Sequence, residues 1–188
     1  MVVAADNPHA FARCVDVLLR GGVVIAPGDT MYGMLGIVPF AEQRIRDVKG
    51  RGEDKPFLQL IPDPSWTERL SDMQVPDRLA RHWPGPLTIV LPARSGGTVA
   101  VRVPDMLFLR EVLIAVGEPL YSTSVNRAGA APLATVAAMR GEFEQDVDLI
   151  YDAGDILPGP PSTLVDATTR PARIVRRGAL QLTPADLG

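Results

Sequence analysis

Short apolar segments separated by loops rich in Gly and Pro run along the whole chain, and this pattern restricts the fold more than any other feature. Gly and Pro account for 17 and 18 of the 188 residues, so turns must be frequent. Between the strand-length segments lie stretches with helical spacing of apolar residues. We count about seven strands and four helices in an irregular order. This order predicts an α/β fold with α+β-like character, built on a mixed sheet rather than a doubly wound parallel one.

The composition is that of a globular domain, with 46% apolar and 22% charged residues. A chain of this length buries enough surface to hold a core without a metal or a disulfide, so we expect residues 1–188 to form a single domain. The formal net charge of −3 argues against a protein that coats nucleic acid through bulk positive charge, although a local basic groove is allowed.

Cysteine and histidine are scarce, with one and two residues respectively. This scarcity excludes a cysteine zinc cluster and a multi-histidine site, and we predict no metal site made by the protein alone. The sequence starts without the pattern of a signal peptide, and its apolar runs are too short for a transmembrane helix. We therefore expect a cytoplasmic protein without a membrane partner.

The segment 49–55 is the first candidate for chemistry. It carries Lys49, Arg51 and Lys55, and its two glycines let the backbone bend close to a ligand. A planar fork combined with flexible point charges suits a triphosphate. The alternative is a solvated loop in which these charges offset the two neighbouring acids.

The segment 122–129 is the second candidate. Ser122, Thr123, Ser124 and Asn126 leave the end of an apolar strand in quick succession. Hydroxyl and amide groups bind oxyanions without adding charge, and loops at the ends of strands are favoured ligand sites. The alternative is a hydroxyl-rich turn that caps the next helix.

Arginines mark two further strands. Arg102 alternates with valines, so it either reaches solvent or presents a bidentate fork to a small carboxylate. The segment 170–178 contains four arginines and no acid, and it is either a charged edge strand or part of a phosphate wall. In the turn PGDTMYG at 27–33, Asp29 has a simple interpretation as a turn cap, and Thr30 as a packing residue.

In this order, the segments resemble the YrdC/YciO family, whose best-known members are threonylcarbamoyl-AMP synthases. The resemblance runs from about Gly21 to Gly178 and rests on GGVVIAPGDTMYG, VKGRGEDKPF, WPGPLTIVL, VAVRVPD, PLYSTSVNRAG, STLVD and IVRRG. It implies a YrdC/RibB-type twisted mixed β-sheet flanked by helices in one domain, a minimal form beside the longer synthases.

The resemblance also implies a reaction, a nucleotidyl transfer. Synthases of this family join L-threonine, bicarbonate and ATP, with Mg²⁺, into threonylcarbamoyl-AMP and pyrophosphate. Other proteins then use the product to modify tRNA. By the same resemblance, the catalytic residues would be Lys49, Arg51, Ser124 and Asn126. The ATP site would consist of Lys49, Arg51, Lys55, Thr88, Ser122, Ser124, Asn126 and Arg176, and the amino-acid site of Thr30, Arg102 and Ser162.

Departures from the family pattern leave other functions open. Non-family residues stand at Gly28, Asp29, Leu35, Gly52, Leu60, Val125 and Ala128, and we expect them to line the pocket. An adenylating or carbamoyl-handling enzyme with another small substrate is the first alternative. A double-stranded RNA or tRNA-binding protein without catalysis is the second, and a regulatory nucleotide-binding domain is the third.

Overall fold

The computed structural model describes residues 1–52 and 56–188, and in this part of the chain ten strands form one mixed sheet. The order across the sheet is β1-β8-β2-β3-β7-β4-β6-β5-β9-β10. Parallel and antiparallel neighbours both occur, as in the pairs β4–β6 and β5–β6. The strands are β1 Val2–Ala4, β2 Val24–Ala26, β3 Gly33–Ile37, β4 Leu58–Leu60, β5 Leu87–Pro92, β6 Thr98–Arg102, β7 Leu120–Ser124, β8 Leu149–Asp152, β9 Thr163–Asp166 and β10 Arg173–Arg176.

Helices flank this sheet, which confirms the predicted α/β class with a mixed sheet. They are α1 Ala10–Leu19, α2 Glu42–Lys49, α3 Asp77–Ala80, α4 Leu107–Val116, α5 Val136–Phe143 and α6 Pro184–Leu187, with a 3₁₀ helix at Pro64–Arg69. Several ends follow local signals. Gly117 ends α4 at a φ of 75°, and the Thr135 hydroxyl accepts the Ala138 N–H at the start of α5. None of the helices described is long and apolar enough to cross a membrane.

The helices divide between the two faces of the sheet because side chains alternate along each strand. On β3, Leu35 packs with α1 and α4, whereas Met34 packs on the opposite face with α2 and α5. On β6, Val101 joins a third apolar cluster that includes Ile89, Val165 and Trp83. That cluster covers one face of β5, β6 and β9 and leaves the other face of these strands available for a site.

The described residues form ten strands where the sequence pattern indicated about seven, and β1 and β3 are two that the pattern did not indicate. The segment GMLGI of β3 contains two glycines and no β-branched residue before Ile37, so it lacks the composition of a strand. The structure explains one glycine, because a Cβ at Gly36 would lie 2.3 Å from that of Ala41 at the start of α2. Close packing of α2 on the sheet thus requires glycine at position 36, and glycine is a residue that makes a strand hard to recognise in the sequence.

Candidate active site

A cavity of about 780 Å³ lies on the sheet face that α4 covers in part. Its floor is formed by the side chains of alternate residues on six strands, from β3 on one side to β9 on the other. Most of these floor residues are apolar, namely Leu35, Leu58, Leu60, Val90, Ala100 and Leu164. An apolar floor of this size excludes water from a ligand while polar groups on the walls fix its orientation.

Hydroxyl groups line the cavity at the end of β7. Ser122, Thr123 and Ser124 all contribute to the wall, and Arg51 stands beside them. Arg51 donates from Nη1 to Thr123 Oγ1 at 3.4 Å, and its guanidinium lies 4.6 Å from the centre of the Phe57 ring. The aromatic ring and the hydroxyl together hold a cation at this wall.

Lys49 lies behind the same loop and is not among the lining residues. Its side chain is buried, and Nζ donates to Ser124 O at 2.5 Å, to Asn126 O at 2.7 Å and to Asn126 Oδ1 at 3.1 Å. Burial, with a smaller effect from the Arg51 charge, lowers the pKa of Lys49 from 10.5 to about 8. The ammonium therefore uses its three N–H bonds to hold the loop.

The Asn126 amide is also committed to this loop. Nδ2 donates to Arg127 O and Ala130 O, each at 2.8 Å, while Oδ1 accepts from Ser124 Oγ at 2.6 Å as well as from Lys49. Both N–H bonds of the amide and its oxygen are thus engaged within the protein. In this structure Asn126 shapes the loop that presents Ser124 to the cavity.

Arg102 reaches the cavity from the end of β6, on the opposite face to Val101, as the alternation predicts. Its Nε donates to Gly85 O at 3.1 Å, and its Nη2 donates to Asp29 Oδ2. Asp29 comes from the turn after β2. Arg102 and Asp29 thus form a buried ion pair, and both side chains line the cavity. The sequence had left open a solvent-exposed Arg102 and an Asp29 that only caps a turn, and the structure shows neither.

Arg176 lies near Arg102, across β5 and β9. Its Nη2 donates to Ser162 O at 2.9 Å and contacts Ser162 Oγ at 3.3 Å, and Ser162 Oγ is in turn 2.8 Å from Thr88 Oγ1. Burial, and next the charge of Arg102, lower the pKa of Arg176. Two guanidinium groups and two hydroxyls thus lie together on one wall of the cavity.

Two loops close the rim of the cavity and are tied to each other. Tyr32 is fully buried, and its hydroxyl donates to Gly154 O at 2.8 Å and accepts the Ala153 N–H at 2.9 Å. Thr30 O accepts the Gly159 N–H at 2.8 Å. The turn that carries Asp29 and Thr30 is therefore held by the loop before β9.

Comparison with known proteins decides the family. A family model for Sua5, YciO and YrdC proteins, described as Telomere recombination, matches residues 16–178. The chain belongs to the Sua5/YciO/YrdC family. The predicted resemblance is thereby confirmed.

Relatives within the Sua5/YciO/YrdC family include two proteins named threonylcarbamoyl-AMP synthase. The one from Pyrococcus abyssi is 30% identical over 178 residues, which cover 87% of this chain and 52% of the relative. The one from Marinobacter nauticus is 31% identical over 177 residues, covering 85% and 91%. This chain thus spans about half the length of the first relative and most of the second.

A solved structure of a Sua5 protein has the same fold. The crystal structure of P. abyssi Sua5 complexed with L-threonine superposes with a TM-score of 0.85 and 26% identity. The match covers 95% of this chain and 57% of the Sua5 chain.

Around the cavity of this Sua5/YciO/YrdC domain, the structure gathers eight of the eleven residues that the resemblance assigned to the site. Their binding roles stay predictions. Lys49 and Asn126 lie behind the wall, and Lys55 lies outside the described residues. The eight that line the cavity are Thr30, Arg51, Thr88, Arg102, Ser122, Ser124, Ser162 and Arg176.

Some lining groups escaped the sequence analysis. Phe57, Pro158, Gly159 and Pro161 contribute to the walls. Asp29 was expected to line the pocket, but its pairing with Arg102 was not predicted. The sequence did contain a signal for this pairing. Asp29 is an acid directly after a buried strand, and Arg102 is an arginine on an alternating strand. The sequence gives no strand order, so it could not bring the two together.

The departures from the family pattern separate into two groups. Gly28, Asp29, Leu35 and Leu60 line the cavity, as expected. The other three do not line it: Val125 is fully buried in the core beside α5, while Gly52 and Ala128 are exposed. Among the described residues, no group of three or more His, Cys, Asp or Glu side chains is arranged to hold a metal ion.

Proposed function

We propose that this chain is a threonylcarbamoyl-AMP synthase, which converts L-threonine, bicarbonate and ATP into threonylcarbamoyl-AMP and pyrophosphate. The observation that carries the proposal is the pairing of two polar walls over one apolar floor. Arg102 and Arg176 stand on one side, and the hydroxyls of β7 with Arg51 stand on the other. The strand β4 lies between β6 and β7, so the β7 hydroxyls and Arg102 on β6 are about two strand spacings, or roughly 10 Å, apart, and Arg176 on β10 lies farther out.

That separation suits a substrate with an anion at each end. The carboxylate of the amino acid would meet Arg102 and Ser162, and its side chain would face Thr30. The α-phosphate of ATP would lie near Ser122 and Ser124, with Arg51 beside the other phosphates. Relatives named threonylcarbamoyl-AMP synthase support an enzyme of this class.

The reaction needs positioning and charge neutralisation more than a general acid or base. The amine of threonine and bicarbonate combine to a carbamate with loss of water. A carbamate oxygen then attacks the α-phosphorus of ATP, the bond from that phosphorus to the pyrophosphate oxygen breaks, and pyrophosphate leaves. Guanidinium and hydroxyl groups that already face the reacting anions stabilise the charge that develops on the phosphates.

Water is the main competitor, because a carbamate reverts readily. The apolar floor, with Leu58 and Leu60 at its centre, keeps the carbamate away from bulk solvent. Mg²⁺ would enter as a complex with ATP and be coordinated by phosphate oxygens and water. The product would pass to proteins that modify tRNA.

The direct test is to incubate the protein with ATP, Mg²⁺, bicarbonate and one amino acid at a time. We expect pyrophosphate release and a product with the mass of threonylcarbamoyl-AMP when L-threonine is present. Omission of bicarbonate is the matched control and should abolish both signals. An adduct with another amino acid instead would move the assignment to the first alternative, and RNA binding without ATP turnover would move it to the second.

A further inference from the structure

Asp29 is placed to control Arg102, a role that goes beyond the predicted set of site residues. Its carboxylate accepts three hydrogen bonds from two segments of the chain. Oδ2 accepts from Arg102 Nη2 and from the Asp105 N–H at 2.9 Å, and Oδ1 accepts from the Met106 N–H at 3.0 Å. The Asp29 side chain is 11% exposed and that of Arg102 is 9% exposed. The acid thus connects the turn after β2, the end of β6 and the start of α4.

These contacts fix the plane of the guanidinium. Nε is held by Gly85 O and Nη2 by Asp29, whereas Nη1 makes no hydrogen bond to any described residue. Each terminal nitrogen of an arginine carries two N–H bonds, so these contacts leave both N–H bonds of Nη1 and one of Nη2 unused. A carboxylate in the cavity can accept from them without displacing Asp29.

The charges on this wall also favour a ligand with a carboxylate. Asp29 is the one acidic side chain among the described residues that line the cavity, and it lies between the turn and two guanidinium groups. Arg102 and Arg176 are close enough for the charge of one to lower the pKa of the other. Two cations and one anion leave a net charge of about +1 at this wall, which matches a ligand with one carboxylate.

We infer that Asp29 is a positioning residue that orients Arg102 toward the carboxylate of the amino-acid substrate, and so makes the site prefer free amino acids to their amides, which lack the carboxylate. The inference rests on the proposed function. Asparagine cannot take over this role, because both carboxylate oxygens face donors only. Either orientation of its amide would set an NH₂ group against an N–H donor.

The test uses calorimetric titration of L-threonine and L-threoninamide, each in the presence of a non-hydrolysable ATP analogue. We expect the wild type to prefer threonine over its amide. Asp29→Asn should weaken threonine binding by roughly 10- to 100-fold, with the amide and the ATP analogue changed by less than about twofold. Asp29→Glu keeps the charge on a longer stem and should recover much of the threonine affinity.

The matched control is Asp72→Asn, since Asp72 forms an exposed ion pair with Arg94 and lies away from the cavity. This substitution should leave the affinities for threonine and for its amide unchanged. Equal losses of threonine and amide in Asp29→Asn, or an unchanged threonine affinity, would overturn the inference and leave the proposed function standing. A wild type that binds no amino acid would overturn both. If Asp29→Asn does not fold, Asp29→Glu alone decides, through the ratio of threonine to amide affinity.

Discussion

At the scale of single residues, the three guanidinium groups among the described lining residues are each held by a different kind of group. Arg51 lies against the ring of Phe57, Arg102 is held by a carboxylate and a backbone carbonyl, and Arg176 is held by a serine. An arginine that is fixed before the ligand arrives loses little side-chain entropy on binding. Because of this arrangement, ligand affinity should depend on each of these cations being an arginine as well as on its positive charge.

Arg102→Lys tests that argument, because it keeps the charge and removes the planar fork. One ammonium cannot contact Gly85 O and Asp29 and also offer two parallel N–H bonds to a carboxylate. We expect amino-acid affinity to fall by roughly 10- to 100-fold and ATP affinity to change by less than about twofold. Calorimetric titration of both ligands measures this.

Arg94→Lys, at an exposed ion pair, is the control and should leave both affinities unchanged. Equal losses for the two ligands would place Arg102 in the phosphate site instead. No loss for either would remove it from the amino-acid site.

The side of the sheet on which Arg102 lies was predictable, because the valines on either side of it had to be buried. The ion-pair partner of Arg102 could not be predicted. Asp29 is 73 residues away in the sequence, and the contact exists because β6 and the turn after β2 meet at one end of the cavity. The same limit applied to Ser162 and Thr88, which the resemblance singled out without any indication that their hydroxyls touch each other.

At the scale of elements, the end of α2 and the loop after β7 form a unit. Gly50 ends α2 at a φ of 62°, and the reversal leaves Lys49 directed inward under the loop. The sequence made this basic loop a candidate to face phosphate, because three cations lie close together there, and a solvated loop was the alternative. Their spacing does not reveal that the last residue of the helix is buried while Arg51, two residues later, reaches the cavity.

Lys49→Met removes the ammonium and keeps most of the stem. Ser124 O and Asn126 O would then lose this donor, while Asn126 Oδ1 would keep the Ser124 hydroxyl, and the cost is roughly 1–3 kcal/mol for each buried group left unsatisfied. We expect a lower midpoint of thermal unfolding together with a turnover reduced by about tenfold or more, for both substrates. Arg20→Met, at the exposed residue that follows α1, is the control.

A variant that raises only the KM for ATP, with unchanged stability, would show that Lys49 contacts phosphate, as the resemblance implies. Thermal unfolding and steady-state kinetics on the same preparations separate the two roles.

The pKa of about 8 for Lys49 adds a pH dependence. Above that pH the neutral amine has two N–H bonds for three acceptors, so turnover should fall with a midpoint near pH 8 in the wild type and not in Lys49→Met. The free energy of unfolding should instead rise with pH. The unfolded lysine titrates near 10.4, so between about pH 8 and 10.4 the unfolded chain binds more protons, and this group's contribution to the free energy of unfolding rises with pH. Rate and denaturation profiles over this range check both signs.

At the scale of the whole molecule, the chain has a net charge of −3 and yet directs three arginines into one cavity. Of these three, Arg102 is buried, Arg51 is half-buried and Arg176 is exposed at the cavity mouth, whereas Arg170, Arg173 and Arg177 are exposed around β10 and do not line the cavity. The two sets would serve different ligands. Cations within a cavity suit a small anion that is removed from water, whereas exposed ones suit a polyanion at the surface.

Salt therefore distinguishes the proposed synthase from an RNA-binding protein. Between about 50 mM and 200 mM NaCl, an RNA complex that depends on three surface arginines should weaken by roughly 40-fold, since each phosphate contact releases a counterion. Ion pairs inside the cavity are screened much less, so amino-acid-dependent pyrophosphate release should change by no more than about threefold. Arg173→Gln, on the edge strand, should alter RNA retention only. If turnover instead falls as steeply as RNA binding, and Arg173→Gln reduces it, the site that matters is the exposed edge of the sheet and the cavity assignment is wrong.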